Sequence, residues 1–297
     1  MLPGTLLADR YRVLRRLGQG GQAEIFVARD EHLRQDVVVK SQFPRAFQST
    51  TEYASHAFYL EEELDRLRFM ANVPGIPEVL DDGRYGRSGR RYIVMELVQG
   101  DTVTSWIKAH QPVQKEAAVS VIAQLCAILD GLHAKEYVHR DVTPNNTMLR
   151  PDGQVRLLDV GISVPTGKRN TFPGGSHGYA APEQYDRSAS LTPQVDVFAL
   201  GAMLFAMTVS ELPYSGLEHP LHHAALAFPR DFPAEVDEPL RSLGLAMVSI
   251  DPRERPNGVA EVLRYLRPML PAFGTPASPK ATRPDPTVPY RLGFHVP

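Results

Sequence analysis

An aspartate and an asparagine five positions apart, Asp141 and Asn146 in the stretch His139-Arg-Asp-Val-Thr-Pro-Asn-Asn146, are the residues whose types and spacing speak most directly of chemistry. Pro144 and the polar run argue for a loop. A second aspartate follows in Asp159-Val-Gly161, directly after the apolar run 155–158. One carboxylate can serve as a base, and the other oxygens are hard donors suited to a divalent cation beside phosphate groups. Lys40 closes the run Val37-Val38-Val39. An ammonium at the end of an apolar strand needs an anion, because unpaired charge away from water is costly. Glu63 is the best partner: on a helix over 54–71 it shares a face with Leu60, Leu67 and Met70, whereas Glu61 and Glu62 point elsewhere. Upstream, Leu17-Gly18-Gln19-Gly20-Gly21 leads to Ile25. A glycine turn between strands lets backbone N–H groups approach phosphates, although it also suits a plain hairpin.

These groups need elements to hold them. Strand-like runs occupy 11–17, 24–29, 36–41, 78–80 and 91–97, with the single helical stripe Leu60, Leu64, Leu67, Met70 among them. Beyond Gly100 the pattern is helical, over 115–133, 195–208, 239–248 and 256–270, with Pro256 at a first helical position. Strands followed by helices make an α+β chain of two lobes, about 9–98 and about 99–270. The last 27 residues, 271–297, hold 7 of the 26 prolines and read as a flexible tail; Tyr290, Leu292 and Phe294 are the groups by which it would dock.

Composition narrows the classes. Hydrophobic residues are 43% and charged residues 22% of 297, which excludes wholesale disorder and fibrous architecture. With 32 basic and 34 acidic residues the net charge is −2, so no basic field exists for a nucleic acid. The single cysteine, Cys126, excludes an internal disulfide or a zinc cluster and reads as a core residue of a cytoplasmic protein. No membrane span is expected: the best apolar run, 197–207, is too short and reads as a buried helix. His219, His222 and His223, and the Arg87, Arg90, Arg91 cluster, read as surface groups.

With Ala181-Pro-Glu183 added, the motifs in this order resemble the eukaryotic-type (Hanks-type) protein kinases, closest to the bacterial Ser/Thr kinases, over about 9–270. The resemblance implies a small antiparallel sheet lobe with one helix and a larger, mainly helical lobe. It implies ATP and Mg²⁺ or Mn²⁺ as cofactors, and protein hydroxyls, including the chain's own, as acceptors. Asp141 would take the substrate proton, Asn146 and Asp159 would hold the metal, and Lys40, paired with Glu63, would grip the α/β-phosphates. Leu17, Gly18, Gln19, Gly20, Gly21 and Ile25 would cover the phosphates. Ile25, Val38 and Met148 would sandwich the adenine, with Met95, Glu96 and Val98 along its edge. Glu183 would pair with Arg255, and Arg140 would bind a phosphate on Thr171 or, second, Thr166. A homodimer is a further family trait. Thr143 stands where the family carries lysine, Val160 where it carries phenylalanine, and Ala23 where it carries the third glycine. The first two departures keep a nucleotide-binding pseudokinase as an alternative, with a small-molecule phosphotransferase third.

Overall fold

In the computed structural model, which describes residues 1–19, 23–44, 49–171, 173–216 and 236–293, the chain forms two units. Gly20, Gly21, the three histidines 219, 222 and 223, and Phe294 lie outside the described residues.

Unit 1 comprises Met1–Asn72 and Ile76–Val98. Its antiparallel sheet runs β1 (Leu6–Leu7), β2 (Tyr11–Gln19), β3 (Ala23–Asp30), β4 (Gln35–Gln42), then β6 (Arg90–Glu96) and β5 (Val79–Tyr85). One face buries Tyr11, Val13, Phe26, Ala28, Val37, Val39, Tyr92 and Val94 together. Each aliphatic side chain so buried contributes about 1.5–3 kcal/mol. Register puts the alternate residues on the other face: Val38 lies between Val27 and Met95, and Lys40 between Ile25 and Ile93. Helix α1 (Thr50–Phe69) packs Leu60 and Leu64 on Ile93 of that face. Leu67 and Met70 are buried as the helical stripe predicts.

Two expectations for this unit change. Arg90 is not a surface cation: it is buried and donates to Glu24 at 2.8 Å and through Nε to the Gln42 carbonyl at 2.8 Å, while Arg91 pairs with Glu61 at 2.7 Å. Strand β5 extends through Asp81-Asp82-Gly83, whose polarity gives no strand signal in the sequence. Gly83 lies so close to the ring of Tyr92 that a Cβ would come within 2.6 Å of its hydroxyl.

Unit 2 comprises Val73–Gly75 and Gln99–Pro297. Helix α2 (Val103–His110), unforeseen in the sequence because it is only two turns long, is capped by Thr102, whose hydroxyl accepts from the Ser105 amide at 3.2 Å. Helices α3 (Lys115–His133) and α4 (Gln194–Thr208) form the core, α4 buried nearly all round. Among the described residues, α3, rather than 197–207, is the helix long and apolar enough by length and composition to cross a membrane; 72% of its apolar window is buried within this unit, as in a core helix. Cys126 lies buried on α3, where desolvation pushes its thiol pKa up. Helix α5 (Glu238–Met247) and helix α6 (Val259–Leu266) complete the bundle; α6 starts after Gly258, not at Pro256. Short strands β7 (Asp101–Thr102), β9 (Thr147–Leu149) and β10 (Val155–Leu157) make one small sheet, β8 (Tyr137–Val138) and β11 (Val164–Pro165) another.

Residues 271–293 of the tail are not the flexible stretch that their prolines suggest. They include helix α7 (Val288–Leu292) and are tied to the rest of unit 2 through backbone carbonyls, which proline retains. Trp106 Nε1 donates to the Pro284 carbonyl at 3.0 Å, and Gln124 Nε2 to the Pro286 carbonyl at 3.1 Å. Asp285 accepts from Thr287 and Arg291. Gly153 has no room for a side chain, since a Cβ would stand 2.2 Å from the Asp285 carbonyl oxygen. Leu292, by contrast, is exposed. Truncation after Leu270 is expected to uncover Trp106 and cost at least about 2 kcal/mol in urea unfolding. An unchanged midpoint would mean the tail contributes nothing.

Candidate active site

In unit 1 the chemistry centres on Lys40. Alternation turns its side chain to the same sheet face as Ile25 and Val38, and α1 brings Glu63 to it: Nζ donates to Oε1 at 2.6 Å, with both side chains at most 10% exposed. Glu62 instead pairs with Arg66. Ile25, Val38 and Met95 are half-buried on this face, and Leu17 and Gln19 are exposed beside Gly18 at the end of β2. The Glu96 amide is taken by the Glu78 carbonyl at 2.9 Å, and Val98 is buried.

In unit 2, the loop between β8 and β9 carries Asp141. Asn146 Nδ2 donates to Asp141 Oδ2 at 2.7 Å, and Ser176 Oγ donates to Oδ1 at 2.6 Å. The carboxylate is thus held from both sides. Thr143 is buried and turned inward: its hydroxyl accepts from the Asn146 amide at 3.2 Å, and its carbonyl accepts from the Thr147 hydroxyl at 2.8 Å. Met148, half-buried, follows on β9. Asp159 sits past the end of β10 and accepts from the Gly161 amide at 2.8 Å; Val160 is fully buried beside it.

A buried carboxylate anchors this loop. Asp196, at the start of α4, accepts from the amides of His139 and Arg140 and from His133 Nε2, all at 2.8 Å. Burial opposes its charge, yet these donors, His133 foremost, hold its pKa below the usual range. They also fix Arg140 at a left-handed φ of 72°, a conformation that costs a non-glycine residue roughly 1–2 kcal/mol. His139 is driven toward its neutral form by burial, and its Nδ1 accepts from the Asp141 amide at 3.2 Å.

Glu183 and Arg255 meet in a two-pronged pair, at 2.6 and 3.0 Å. Thr166 and Thr171 are both exposed, whereas Arg140 is buried and its guanidinium donates to Asn170 Oδ1 at 3.3 Å. Sequence reading passed over Asn170 and Gln184, both buried. Lone polar residues in an irregular segment carry no periodicity that marks them as internal.

Residues 11–265 match the family model for the protein kinase domain. The chain belongs to the protein kinase family. It is similar to the probable serine/threonine-protein kinase PknB of Lactococcus lactis, 29% identical over 222 residues, covering 72% of this chain and 34% of that protein. Similar likenesses run to serine/threonine-protein kinase PrkC of Bacillus subtilis (30% over 230 residues, 73% and 33%) and PknB of Mycobacterium tuberculosis (33% over 219 residues, 71% and 34%). The chain spans about a third of the length of these relatives.

Membership implies ATP and a divalent metal. Within unit 2, Asn146 and Asp159 offer hard oxygens of the kind a divalent metal takes; within unit 1, Lys40 with Glu63 offers an oriented cation of the kind a phosphate takes. Among the described residues no cluster of three or more His, Cys, Asp or Glu forms an all-protein metal cage.

Proposed function

We propose that this kinase domain transfers the γ-phosphoryl group of ATP, with Mg²⁺ or Mn²⁺, to serine or threonine hydroxyls of proteins, its own included. The observation that carries the reading is Asp141, oriented at once by Asn146 and Ser176. In this reading the chain has the family's two-lobe fold over about 9–270. Ile25, Val38 and Met148 bracket the adenine, Glu96 and Val98 read its edge through their backbone, and the loop around Gly18 covers the phosphates. Asn146 and Asp159 would hold the metal, which when bound would supply positive charge beside the phosphates. Lys40 would fix the phosphates, and Asp141 would accept the hydroxyl proton. Thr143-Pro144 and Gly175-Ser176, which are unlike the corresponding tyrosine-kinase loops, favour serine or threonine as the acceptor.

Intact mass spectra of phosphatase-treated protein before and after Mg²⁺- or Mn²⁺-ATP, with a generic acceptor protein added, test this. Phosphate-sized mass steps are expected. Their absence on every protein with either metal, despite nucleotide binding, would leave a pseudokinase.

Thr143 bears on rate. Its hydroxyl closes the loop and supplies no cation. One electrostatic contact to a developing charge is typically worth about 10²–10³-fold. Thr143→Lys is therefore expected to raise kcat at least about tenfold in steady-state assays. An unchanged kcat would show that a missing cation at this position does not limit transfer.

A further inference from the structure

Residues 167–170 run back along 189–191 as a small backbone ladder: Gly167 N–H to Leu191 O at 2.7 Å, Leu191 N–H to Lys168 O at 3.1 Å, and Asn170 N–H to Ala189 O at 2.9 Å. Asn170 ends the ladder with only 2% of its surface exposed. Its amide donates to the carbonyls of Gln184 at 2.7 Å, Asp186 at 3.2 Å and, more weakly, Glu183 at 3.5 Å. Its own oxygen accepts from Arg140 at 3.3 Å. The circuit closes through Gln184, whose Nε2 donates to the carbonyls of Arg140 at 2.9 Å and Gly174 at 3.2 Å. Gly174 leads directly to Ser176, the partner of Asp141. Gly175 lies so tightly on this circuit that a Cβ would meet Ala180 at 2.5 Å.

We propose that Asn170 is a positioning residue that locks residues 161–171 and 173–190 onto Arg140 and the 182–185 turn, so that these stretches are ordered, and transfer begins, without prior phosphorylation. The proposal rests on the kinase reading above and deepens it. An amide suits the place because it presents both signs of hydrogen bond: an acceptor to the guanidinium and donors to carbonyls. A phosphate or carboxylate is an acceptor only, and would leave the carbonyls of Gln184 and Asp186 facing an anion. The two threonines on which the family resemblance places a phosphate are exposed, while the guanidinium is buried. Order here is therefore written into the sequence.

The test uses the full chain, phosphatase-treated and shown phosphate-free by mass. Hydrogen exchange is followed over 161–171 and 173–190, with transfer to a generic acceptor protein measured in parallel. The wild type is expected to be protected in both stretches before ATP is added, and to transfer without a lag. Asn170→Ala should lose that protection while α3 and α4 keep theirs, with kcat/KM for the protein acceptor falling about 10²-fold, chiefly through KM. Asn170→Asp should behave like the alanine variant, and Thr171→Ala like the wild type. An aspartate variant as active as the wild type, or more so, would show that an acceptor-only group suffices and overturn the proposal. So would a lag that ends as phosphate enters 161–190, or unchanged protection in Asn170→Ala. Were Asn170→Ala unable to fold, wild-type protection that rises only after ATP would decide against the proposal on its own. A wild type that transfers nothing, yet whose protection depends on Asn170, would defeat the kinase reading and leave the lock standing.

Discussion

Asp141→Asn is expected to lower kcat by about 10²–10⁴-fold while leaving the KM for ATP and the melting temperature nearly unchanged. The isosteric amide can keep both hydrogen bonds that hold residue 141. Its oxygen accepts from Asn146 Nδ2, now 2.7 Å from Oδ2, and its NH₂ donates to Ser176 Oγ, now 2.6 Å from Oδ1, once that hydroxyl reverses. Only basicity goes. Asp141→Ala would remove the orientation of Asn146 as well, and so should also weaken metal binding, read as a higher Mg²⁺ concentration for half-maximal rate. If Asp141→Asn cost less than about tenfold, residue 141 would be orienting the acceptor rather than taking its proton.

How much of this the chain announces depends on range. The β-branched run Val37-Val38-Val39 closed by Lys40 and the Leu60, Leu64, Leu67, Met70 stripe are local signals, and each is strong. Together they suffice to bring Glu63, not Glu61 or Glu62, to Lys40. The Asp141 to Asn146 spacing is equally local, and the 2.7 Å contact follows from a tight loop. Illegible were the contacts made by single polar residues across long separations. Gln124 meeting Pro286, Trp106 meeting Pro284 and Asn170 meeting Arg140 are such cases. None has a periodic neighbour to reveal its side. The tail misled for a related reason: prolines remove donors and disfavour helix, but their carbonyls still bind, and buried donors on α2 and α3 were waiting for them. Arg90 misled because an arginine in a charged hairpin looks solvated until Glu24, far away in sequence, is folded against it.

Glu183→Ala should unfold more easily by about 3–5 kcal/mol, the usual cost of removing one partner from a buried pair. Arg255 has no exposed side-chain surface, and its N–H groups are fully engaged. Nε donates to the Ser249 carbonyl at 2.7 Å, the terminal nitrogens to Gln194 at 3.0 Å and Ile250 at 3.2 Å, and both to the Glu183 carboxylate. Its guanidinium also lies 5.0 Å over the Phe198 ring of α4. It cannot turn to water when Glu183 is lost, so the whole charge stays uncompensated. Glu183→Gln keeps an acceptor but not the charge, and should cost about half as much. In urea unfolding, Arg255→Met alone should also be destabilised, because Glu183 would then be left facing three carbonyls and no cation. The double variant Glu183→Leu/Arg255→Met is expected to be more stable than either single one, since apolar replacement of both partners is often close to neutral. Strict additivity in that cycle would mean that the two residues act independently. The pair also fastens the turn holding Gln184, which bonds to Gly174 and Arg140. Loss of Glu183 should therefore raise the KM for a protein acceptor before it touches that for ATP. A loss confined to stability, with both KM values intact in the folded fraction, would separate this anchor from acceptor binding.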